Sequence, residues 1–504
     1  MAIFLRPTIF QSRGKSSITV KFKYKTKPYQ HQEDALVRSF DKRNYAYFME
    51  MGCGKSKVLL DNMAWLRLQN KIDSAIIVAP KGVYRNWELT EIPKHFLDEI
   101  EYEVFTWRAN ATKSQKDNLV RATKDKSKFR ILLINVEGFA TPKVKRYTEA
   151  FIKDSNFLLA VDESTTIKNH QAKRTKALIS LGKQASYKRI LTGSPVTRSP
   201  MDLFSQCLFM SQDLLGFDSY WSFQGRYAVT RRQKMGAHSF NQVIGYRNLD
   251  ELAQRLKTFS FRVTKEKVLK DVPPKIYTTR QVNLSTEQLQ HYQSMKKNAL
   301  TVVNDELVSA TEVMTQLIKL QQLLCGFIVT NDGKTIEVKN NRITCMLDAI
   351  EEMSGKVIIW ARFRHDIISI TNALRKKYGH ASTVNYFGDT SEKDRQDAIL
   401  GIENDPKVRF FVANPQTGGR GLTLIQATNV IYYSNDFDLE KRIQSEDRNH
   451  RSGQKNQVVY VDLIAKGTID EYIVKVLQNK IVLAGKALNE EAKKWLQVSP
   501  KKDD

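Results

Sequence analysis

Two glycines separated by a single residue begin the stretch of this chain that is best suited to bind phosphate. Gly52 and Gly54 let the backbone turn its N–H groups toward phosphate oxygens, and Lys55 follows where it can reach the terminal phosphates. The hydroxyl of Ser56 is a candidate magnesium ligand. The complete phosphate-loop pattern has a further glycine where this chain has Met49, so a purely structural glycine-rich turn remains the alternative.

Two adjacent carboxylates form the second candidate group. Asp162 and Glu163 follow directly on an apolar run, residues 157–161, that is typical of a buried parallel strand. Such strands deliver the side chains at their carboxyl ends to the ligand crevice of an α/β sheet. We expect Asp162 to hold magnesium, directly or through water, and Glu163 to polarise an attacking water. The alternative is an acidic pair at a helix N-terminus, favoured by the helix dipole.

An arginine pair late in the chain supplies the cation that phosphoryl transfer needs. Arg448 and Arg451, within residues 444–454, are spaced one helical turn apart. An arginine donated by a separate domain stabilises the charge that develops during phosphoryl transfer. Together with the early phosphate loop, this spacing predicts one ATP site closed by two lobes, which is the layout of a motor. Alternatively, the two arginines pair with Glu446 and Asp447 on a solvated helix.

The charge of the chain favours a polyanionic partner. Its 504 residues include 80 Lys and Arg against 54 Asp and Glu, a formal net charge of +26. This excess suits nucleic acid better than a small acidic substrate. A generally basic solvated surface is the alternative, because the basic residues are spread along the chain. The length allows two to four domains, and a hydrophobic content of 41% is enough to form a core in each of them.

The cysteines and the apolar segments exclude other classes of protein. The four cysteines are far apart, with no C-x-x-C pair and no histidine at ligand spacing, so neither a zinc site nor a disulfide framework is expected. The apolar run at the N-terminus is too short for a signal peptide, and no later run reaches the roughly 20 residues of a membrane span. We expect a soluble protein with no membrane partner, located in the cytoplasm, or in the nucleus if the source is eukaryotic.

Short apolar runs alternate with charged helical stretches in two parts of the chain. They are residues 75–79, 131–134 and 157–161 in the first part, and residues 356–360, 408–412, 430–433 and 458–461 in the second. Such alternation indicates an α/β fold class with two parallel-sheet lobes. Residues 17–25 alternate between apolar and polar and predict a half-buried strand. Residues 201–345 are mostly helical in pattern, with a linker at Pro273 and Pro274.

The order of these motifs resembles the Swi/Snf-type ATP-dependent DNA translocases of helicase superfamily two. The motifs that carry the resemblance lie at residues 27–32, 51–56, 78–88, 134–137, 162–163, 191–195, 417–424 and 444–454. The resemblance implies two RecA-like lobes, ATP and Mg²⁺ as cofactors, and DNA, duplex or branched, as the partner. Besides the phosphate loop, it implies nucleotide contacts from Gln32, with Gln30 as the fallback, and from Gly421 and Gln444. It implies nucleic-acid contacts from Lys81, Asn135, Thr192, Gly193, Thr417 and Arg420.

The most family-specific stretch is residues 261–275, which general helicases of the superfamily lack and which favours translocases over classical unwinders. The predicted domains are a strand-like N-terminal extension at 1–26, a first RecA-like lobe at 27–272 with a helical insertion from about 201, a linker and helical protrusion at 273–345, a second RecA-like lobe at 346–480, and a C-terminal helix and charged tail at 481–504. Protein partners are not predicted by the sequence.

The chain departs from the family after its acidic pair. The family usually continues with Ala or Gly and then His, whereas this chain has Ser164 and Thr165. Because a hydroxyl cannot reproduce the contacts of an imidazole, we expect hydrolysis to survive and its coupling to DNA to differ. The chain also lacks room for the appendages of chromatin remodellers, which favours a compact viral or bacterial motor.

Residues 226–246 have the pattern of a basic hairpin that contains aromatic residues. Two apolar-alternating segments flank a turn at residues 234–237, and Arg231, Arg232 and Lys234 are candidate nucleic-acid contacts. Such an element is able to grip a DNA groove or wedge a junction. A plain structural hairpin or an irregular loop is the alternative.

These observations predict a DNA-dependent ATPase that moves on double-stranded DNA or remodels it, in DNA repair, recombination or replication. A strand-separating or branch-migrating helicase shares every ATPase motif and differs only in a wedge. A non-enzymatic DNA-binding protein is disfavoured because the lysine, both carboxylates and both arginines occur together. An RNA helicase is disfavoured by residues 262–275.

Overall fold

The computed structural model describes residues 8–11, 18–81, 83–235, 238–268, 272–304, 310–330, 332–418, 422–451 and 453–488. The chain divides into two compact units. The first comprises residues 1–227, 247–270 and 486–490, and the second comprises residues 228–246, 271–485 and 491–504.

Strands occur throughout the described part of the chain. In chain order they are β1 (Thr8–Gln11), β2 (Ile18–Lys21), β3 (Asn44–Met49), β4 (Ser74–Ala79), β5 (Tyr102–Thr106), β6 (Phe129–Asn135), β7 (Phe157–Asp162), β8 (Tyr187–Leu191), β9 (Ala228–Met235), β10 (His238–Tyr246), β11 (Ser260–Val263), β12 (Lys275–Gln281), β13 (Phe327–Val329), β14 (Thr335–Glu337), β15 (Lys356–Trp360), β16 (Thr383–Tyr386), β17 (Phe410–Ala413), β18 (Ala427–Tyr432) and β19 (Val458–Ile464).

Helices connect most of these strands. In chain order they are α1 (Gln30–Ser39), α2 (Lys55–Leu68), α3 (Tyr84–Asn86), α4 (Ile92–His95), α5 (Lys113–Lys124), α6 (Pro142–Ile152), α7 (Lys173–Gly182), α8 (Asp202–Met210), α9 (Tyr220–Tyr227), α10 (Leu249–Phe259), α11 (Lys265–Val268), α12 (Thr286–Asn304), α13 (Ala310–Leu324), α14 (Arg342–Glu351), α15 (Arg364–Tyr378), α16 (Glu392–Asn404), α17 (Pro415–Gly418), α18 (Leu439–Glu446) and α19 (Ile469–Leu488).

A parallel sheet forms the centre of the first unit. Within the described residues its strand order is β11-β3-β8-β7-β4-β6-β5, and every neighbouring pair is parallel. The three apolar runs predicted as strands are β4, β6 and β7, and their side chains are almost all buried. Alternate residues of each strand belong to a core shared with α2. Because the strands are parallel, all of their carboxyl ends lie at one edge of the sheet, where a ligand crevice is expected.

The second unit has a parallel sheet of its own. Its described strands follow the order β12-β19-β18-β15-β17-β16, again with parallel neighbours throughout. The four apolar runs predicted in the second lobe correspond to β15, β17, β18 and β19. Cores lie on both faces of this sheet. The predicted fold class, α/β with two parallel-sheet lobes, is therefore confirmed.

The segment between the two lobes contains more strand than its sequence pattern predicted. β9 and β10 pair as an antiparallel hairpin, which confirms that element, while β11 joins the first sheet and β12 the second. Residues 261–275 thus run from an edge strand of one sheet to an edge strand of the other. The exact domain boundaries stay a prediction, although β12 lies in the segment that we predicted to be linker and helical protrusion.

The N-terminal strand is shorter than predicted. The alternation over residues 17–25 predicted one strand, whereas β2 ends at Lys21 and pairs antiparallel with β1. Phe22 beyond the strand packs against the core of the first unit instead of continuing the pairing. Across the part of the chain that the structure describes, every helix is too short or too polar to span a lipid bilayer.

Candidate functional site

The phosphate loop connects β3 to α2 at the carboxyl edge of the first sheet. Gly52 and Gly54 have φ angles of +83° and +84°, in the left-handed region where an L side chain would be strained. Lys55 then begins α2, and its ammonium donates a hydrogen bond to the carbonyl of Met49, at 2.9 Å. Methionine at position 49, where the full pattern has glycine, therefore ends β3 and supplies a backbone acceptor for the loop lysine.

Helix α1 holds this loop from the side. The Nε2 atom of His31 lies 2.9 Å from the carbonyl oxygen of Cys53, and Gln32 Nε2 donates to the same oxygen at 3.3 Å. Because a carbonyl only accepts, His31 carries its proton on Nε2. A Cβ atom on Gly54 would meet Gln32 Nε2 at 2.1 Å, so this position requires glycine. Sequence reasoning missed His31, and the adenine contact of Gln32, or of the exposed Gln30, stays a prediction.

The acidic pair lies at the carboxyl end of β7, as predicted. Asp162 is the last residue of the strand and is 7% exposed. Its Oδ2 accepts a hydrogen bond from Trp87 Nε1 at 3.0 Å, and its Oδ1 accepts one from the backbone N–H of Glu163 at 3.0 Å. Glu163 itself is buried and has a φ of 47°, a left-handed conformation that non-glycine residues seldom adopt. Strained backbone of this kind is concentrated at functional sites.

The electrostatics at Asp162 suit a cation. Burial raises the pKa of this carboxyl above its ordinary value, while the positive charge of Lys55 and the hydrogen bond from Trp87 oppose that rise. A carboxylate that burial makes costly to ionise gains more from a metal ion than an exposed one does. A carboxylate and a hydroxyl are also oxygen donors of the kind that Mg²⁺ prefers. Asp162 and Ser56 therefore fit the predicted magnesium site.

A third oxygen-bearing side chain lies at the same place. Glu91 accepts hydrogen bonds from the Ser56 hydroxyl and from Asn86 Nδ2, the latter at 3.2 Å. Burial raises the pKa of Glu91, these hydrogen bonds oppose the rise, and the nearby charge of Asp162 adds to it. Sequence reasoning did not assign Glu91. Among the described residues, no group of three or more His, Cys, Asp or Glu side chains forms a ready-made metal cage.

The predicted nucleic-acid residues of the first unit fall into two places. Lys81 follows β4 and is exposed, and the half-buried Asn135 ends the neighbouring strand β6. Thr192 and Gly193 follow β8 instead, between the strands that carry the phosphate loop and the acidic pair. Thr192 is 1% exposed, and a Cβ on Gly193 would lie 3.3 Å from backbone atoms of Glu50 and Met51. The order of the strands thus separates Lys81 and Asn135 from Thr192 and Gly193, which lie beside the phosphate loop.

The two arginines of the second unit lie close together, although not on a helix. α18 ends at Glu446, and Arg448 and Arg451 occupy the turns that follow, which corrects the prediction of helical spacing. Both guanidinium groups reach the carbonyl of Leu422, at 3.1 and 3.4 Å. Arg451 also donates to the hydroxyl of Thr423, at 2.8 Å. The turns therefore bring the pair to one carbonyl within the predicted 417–424 motif.

A buried ionic network supports these turns. Glu446 accepts hydrogen bonds from Lys275 Nζ at 2.7 Å, from the Tyr277 hydroxyl at 2.8 Å and from Arg442 Nε at 2.8 Å. Burial alone would raise the pKa of Glu446, but the charges of Lys275 and Arg442 outweigh it and hold the pKa at about 2. His450 Nε2 lies 2.8 Å from the carbonyl of Pro273. Glu446 thus belongs to the interior of the unit, which argues against the alternative in which it pairs with the arginines on a solvated helix.

The remaining predicted residues of the second unit are partly described. Thr417 lies half-buried near the end of α17, and Gln444 is buried with its Nε2 donating to Glu440 at 3.2 Å. Arg420 and Gly421 lie outside the described residues. Their predicted contacts, like those of Thr417 and Gln444, stay predictions.

The basic hairpin has a defined register. Arg231 pairs with Gln242 and Arg232 with Asn241, and both arginines are exposed. Consecutive residues of a strand alternate between its faces, so these two arginines point to opposite sides of the ribbon. Lys234 lies in β9, but its side chain is outside the described part. The hairpin of the sequence prediction is confirmed, and its contact with nucleic acid stays a prediction.

Family models match nearly the whole length of this chain. The model of the SNF2-related domain matches residues 18–326, and that of the helicase conserved C-terminal domain matches residues 339–453. The chain belongs to the SNF2 family. The resemblance to Swi/Snf-type proteins that the motifs predicted is therefore confirmed. The first matched region contains every described strand of the first sheet, and the second contains β15, β16, β17 and β18 of the second sheet.

Relatives of this SNF2-family chain occur in bacteria and animals. An uncharacterized ATP-dependent helicase of Mycoplasma genitalium is 25% identical over 472 residues, covering 92% of this chain and 42% of the relative. The DNA annealing helicase and endonuclease ZRANB3 of Bos taurus is 26% identical over 444 residues, covering 87% and 38%. The chain spans less than half the length of these relatives. It is also similar to the SWI2/SNF2 ATPase core of Sulfolobus solfataricus in complex with dsDNA, at 23% identity and a TM-score of 0.42, covering 95% of this chain and 96% of that one.

Proposed function

We propose that this protein is an ATP- and magnesium-dependent motor that moves on double-stranded DNA. The observation that carries the proposal is the arrangement at the carboxyl edge of the first sheet. There, the phosphate loop follows β3 and the buried Asp162 ends β7, with only β8 between these two strands of the same sheet. The positive charge of Lys55 in the loop lowers the pKa of Asp162 against the effect of burial. Membership of the SNF2 family supports the same function.

Each residue of the edge has a separate task in this proposal. The loop N–H groups and Lys55 bind the phosphates, and Ser56 and Asp162 hold Mg²⁺, which when bound neutralises charge on the phosphates. Glu163 orients and polarises the attacking water. Its left-handed backbone turns it away from the line of β7, so that adjacent residues perform different tasks.

The arginine pair completes the chemistry. We assign Arg448 and Arg451 the stabilisation of negative charge on nucleotide bound at the first unit. The carbonyl of Leu422, shared by both side chains, keeps the two charges together despite their repulsion. Turnover then depends on both units, as a motor that converts hydrolysis into movement requires.

DNA is the proposed track. The exposed Lys81 and the half-buried Asn135 lie at the carboxyl ends of two neighbouring strands, β4 and β6. The net charge of +26 favours binding to the backbone of a polyanion. The Bos taurus relative is a DNA annealing helicase and endonuclease, which supports a role in DNA repair or recombination. A strand-exchanging or branch-migrating helicase is the second candidate, favoured by the exposed Arg231 and Arg232 of the hairpin.

The direct test of the site is a single substitution in the acidic pair. Glu163→Gln keeps the size of the side chain but replaces one accepting oxygen with a donating NH₂ group and removes the negative charge, so we expect ATP binding to persist and turnover to be nearly abolished. The measurements are ATP affinity by equilibrium binding and steady-state release of phosphate with duplex DNA present. Hydrolysis by this variant at the wild-type rate would remove Glu163 from the catalytic role.

A further inference from the structure

A π-helical turn in the first unit touches both predicted magnesium ligands. The turn spans Trp87–Glu91 and lies between the short helices α3 and α4. π-Helical turns are rare, and they occur frequently at functional sites because they change the direction in which neighbouring side chains point. The sequence assigned the beginning of this region, at Lys81, to nucleic acid, and assigned nothing to its far end.

Each end of the turn holds a different ligand. Trp87 is 1% exposed, and its Nε1 donates to Asp162 Oδ2 at 3.0 Å. Asn86 Nδ2 donates to Glu91 Oε1 at 3.2 Å, which fixes that carboxylate, and the carboxylate lies near enough to the Ser56 hydroxyl for an interaction with it to lower the pKa of Glu91. One turn of chain thus reaches two oxygen donors that come from separate elements, the phosphate loop and β7.

The surroundings of Trp87 and Glu91 argue against a role for this turn in packing alone. A tryptophan buried only for packing does not require an acceptor on a catalytic-edge carboxylate, and Glu91 brings a second carboxylate close to one that burial already disfavours. The other acidic residue of the turn, Glu88, faces away from this place and lies 4.0 Å from Arg108. The two carboxylates of the turn therefore have different surroundings, which supplies a matched control.

We propose that Trp87 and Glu91 are positioning residues for the magnesium site. Trp87 sets the orientation of the Asp162 carboxylate, and Glu91 sets that of the Ser56 hydroxyl. The proposal rests on the proposed function, since it concerns the metal that the ATPase requires. Hydrogen-bonded partners behind metal ligands commonly change metal affinity by about 10- to 100-fold when they are removed.

The test measures how nucleotide binding depends on magnesium, in a Glu163→Gln background that suppresses hydrolysis. Fluorescent N-methylanthraniloyl-ATP is titrated into the full chain at increasing MgCl₂ and, separately, in EDTA. For Glu91→Ala and Trp87→Phe we expect the half-saturating Mg²⁺ concentration to rise roughly 10-fold or more. Affinity in EDTA should stay within about twofold of the parent, because the contacts of the phosphate loop remain.

Conservative and control variants separate positioning from folding. Glu91→Gln keeps an oxygen that accepts from Ser56, so it should restore most of the Mg²⁺ dependence lost in Glu91→Ala, while Glu88→Ala should match the parent. Equal losses of affinity with and without Mg²⁺ would show that the turn only supports the fold of the loop, and would overturn the proposal. Unshifted Mg²⁺ dependence in both Glu91→Ala and Trp87→Phe would overturn it as well, with the proposed function intact. Magnesium-independent binding by the parent would also overturn this inference, whereas the proposed function would be rejected only by the absence of magnesium-dependent ATP hydrolysis in the wild-type chain.

Discussion

At the scale of single residues, Ser164, which stands where the family usually has Ala or Gly, makes a buried side-chain contact of its own. Its hydroxyl donates to Gln206 Oε1 at 2.7 Å, and both side chains are fully buried. Gln206 Nε2 in turn donates to the carbonyl of Pro195, at 2.8 Å. The residue next to Glu163 is therefore connected to the 191–195 motif, in which Thr192 and Gly193 are predicted nucleic-acid contacts.

Ser164→Ala should weaken that coupling more than it weakens hydrolysis itself. Removal of the hydroxyl breaks the connection to Gln206 but leaves Lys55, Asp162 and Glu163 in place. Coupling free energies between sites are commonly 1–3 kcal/mol, so we expect the stimulation of ATPase rate by DNA to fall roughly fivefold or more. The measurement is phosphate release with and without duplex DNA.

Ser205→Ala is the matched control for this prediction. Ser205 is equally buried, and its hydroxyl donates to the carbonyl of Ile167, at 2.7 Å, instead of to Gln206. Loss of one buried hydroxyl is therefore common to both variants. Equal stimulation by DNA in the two variants would assign Ser164 to stability alone.

At the scale of elements, apolar runs predicted several interior strands of both sheets, and charged residues concealed β8. β8 was not predicted because it contains Lys188 and Arg189 among its five residues. Yet Arg189 is fully buried and donates to Asn62 Oδ1 and to the carbonyl of Ser39, each at 3.0 Å. A buried arginine that is satisfied by distant partners cannot be recognised from hydropathy, because its partners are brought near only by the fold.

In the functional site, too, some residues were predicted from the sequence and others were missed. The phosphate loop and the acidic pair were predicted because their residues are consecutive in sequence and their chemistry is local. His31, Glu91 and Gln206 were missed because each acts on a residue that lies far from it in sequence, through a hydrogen bond that depends on tertiary packing. Helical spacing at the arginine pair was wrong for a related reason, since the helix gives way to turns where Glu446 enters the interior.

The network around Glu446 predicts an acid-sensitive second unit. Its pKa falls from an ordinary value of 4.5 to about 2 on folding, so the ionised form stabilises the folded state above pH 4.5. That stabilisation, about 3 kcal/mol for a shift of this size, should be lost as pH falls from 4.5 toward 2. We therefore expect the destabilisation caused by Glu446→Gln to be large at pH 7 and to shrink steadily below pH 4.5, as measured by urea unfolding.

An exposed carboxylate of the same unit provides the comparison. Glu351 pairs with Lys377 on the surface, and exposed pairs contribute little to stability. Glu351→Gln should therefore change the free energy of unfolding by less than about 1 kcal/mol at every pH. A destabilisation by Glu446→Gln that is the same at pH 7 and pH 3 would contradict the ionised state that we assign to Glu446.

At the scale of the whole molecule, the arginine pair should be required for rapid ATP turnover but not for nucleotide binding. Arg451→Ala removes a charge that the proposal uses mainly during phosphoryl transfer, so turnover should fall roughly 10³-fold with little change in ATP affinity. Arg448→Ala should do the same, although its side chain is buried and thermal unfolding must be checked. Arg364→Ala, which removes an exposed arginine paired with Asp389, is the control. Normal turnover in Arg451→Ala would reject a two-unit mechanism.

The charge of the whole chain predicts how it binds DNA. Contacts with about six to ten phosphates would make affinity fall by roughly 10³ to 10⁵ between 50 and 200 mM salt, with little preference for base sequence. The measurement is equilibrium binding of labelled duplexes over that range. A nearly constant affinity, or a strong preference for one sequence, would be incompatible with binding through the DNA backbone.

The central claim is that ATP hydrolysis moves this protein along intact duplex DNA. Displacement of a triplex-forming third strand tests it most directly, because the third strand is released only when a motor passes along a duplex whose own strands stay paired. With ATP and Mg²⁺ the wild-type chain should release the third strand while leaving a plain tailed duplex paired, and the Glu163→Gln chain should release nothing. Efficient separation of the tailed duplex, or no displacement by a chain that hydrolyses ATP in the presence of DNA, would contradict the account.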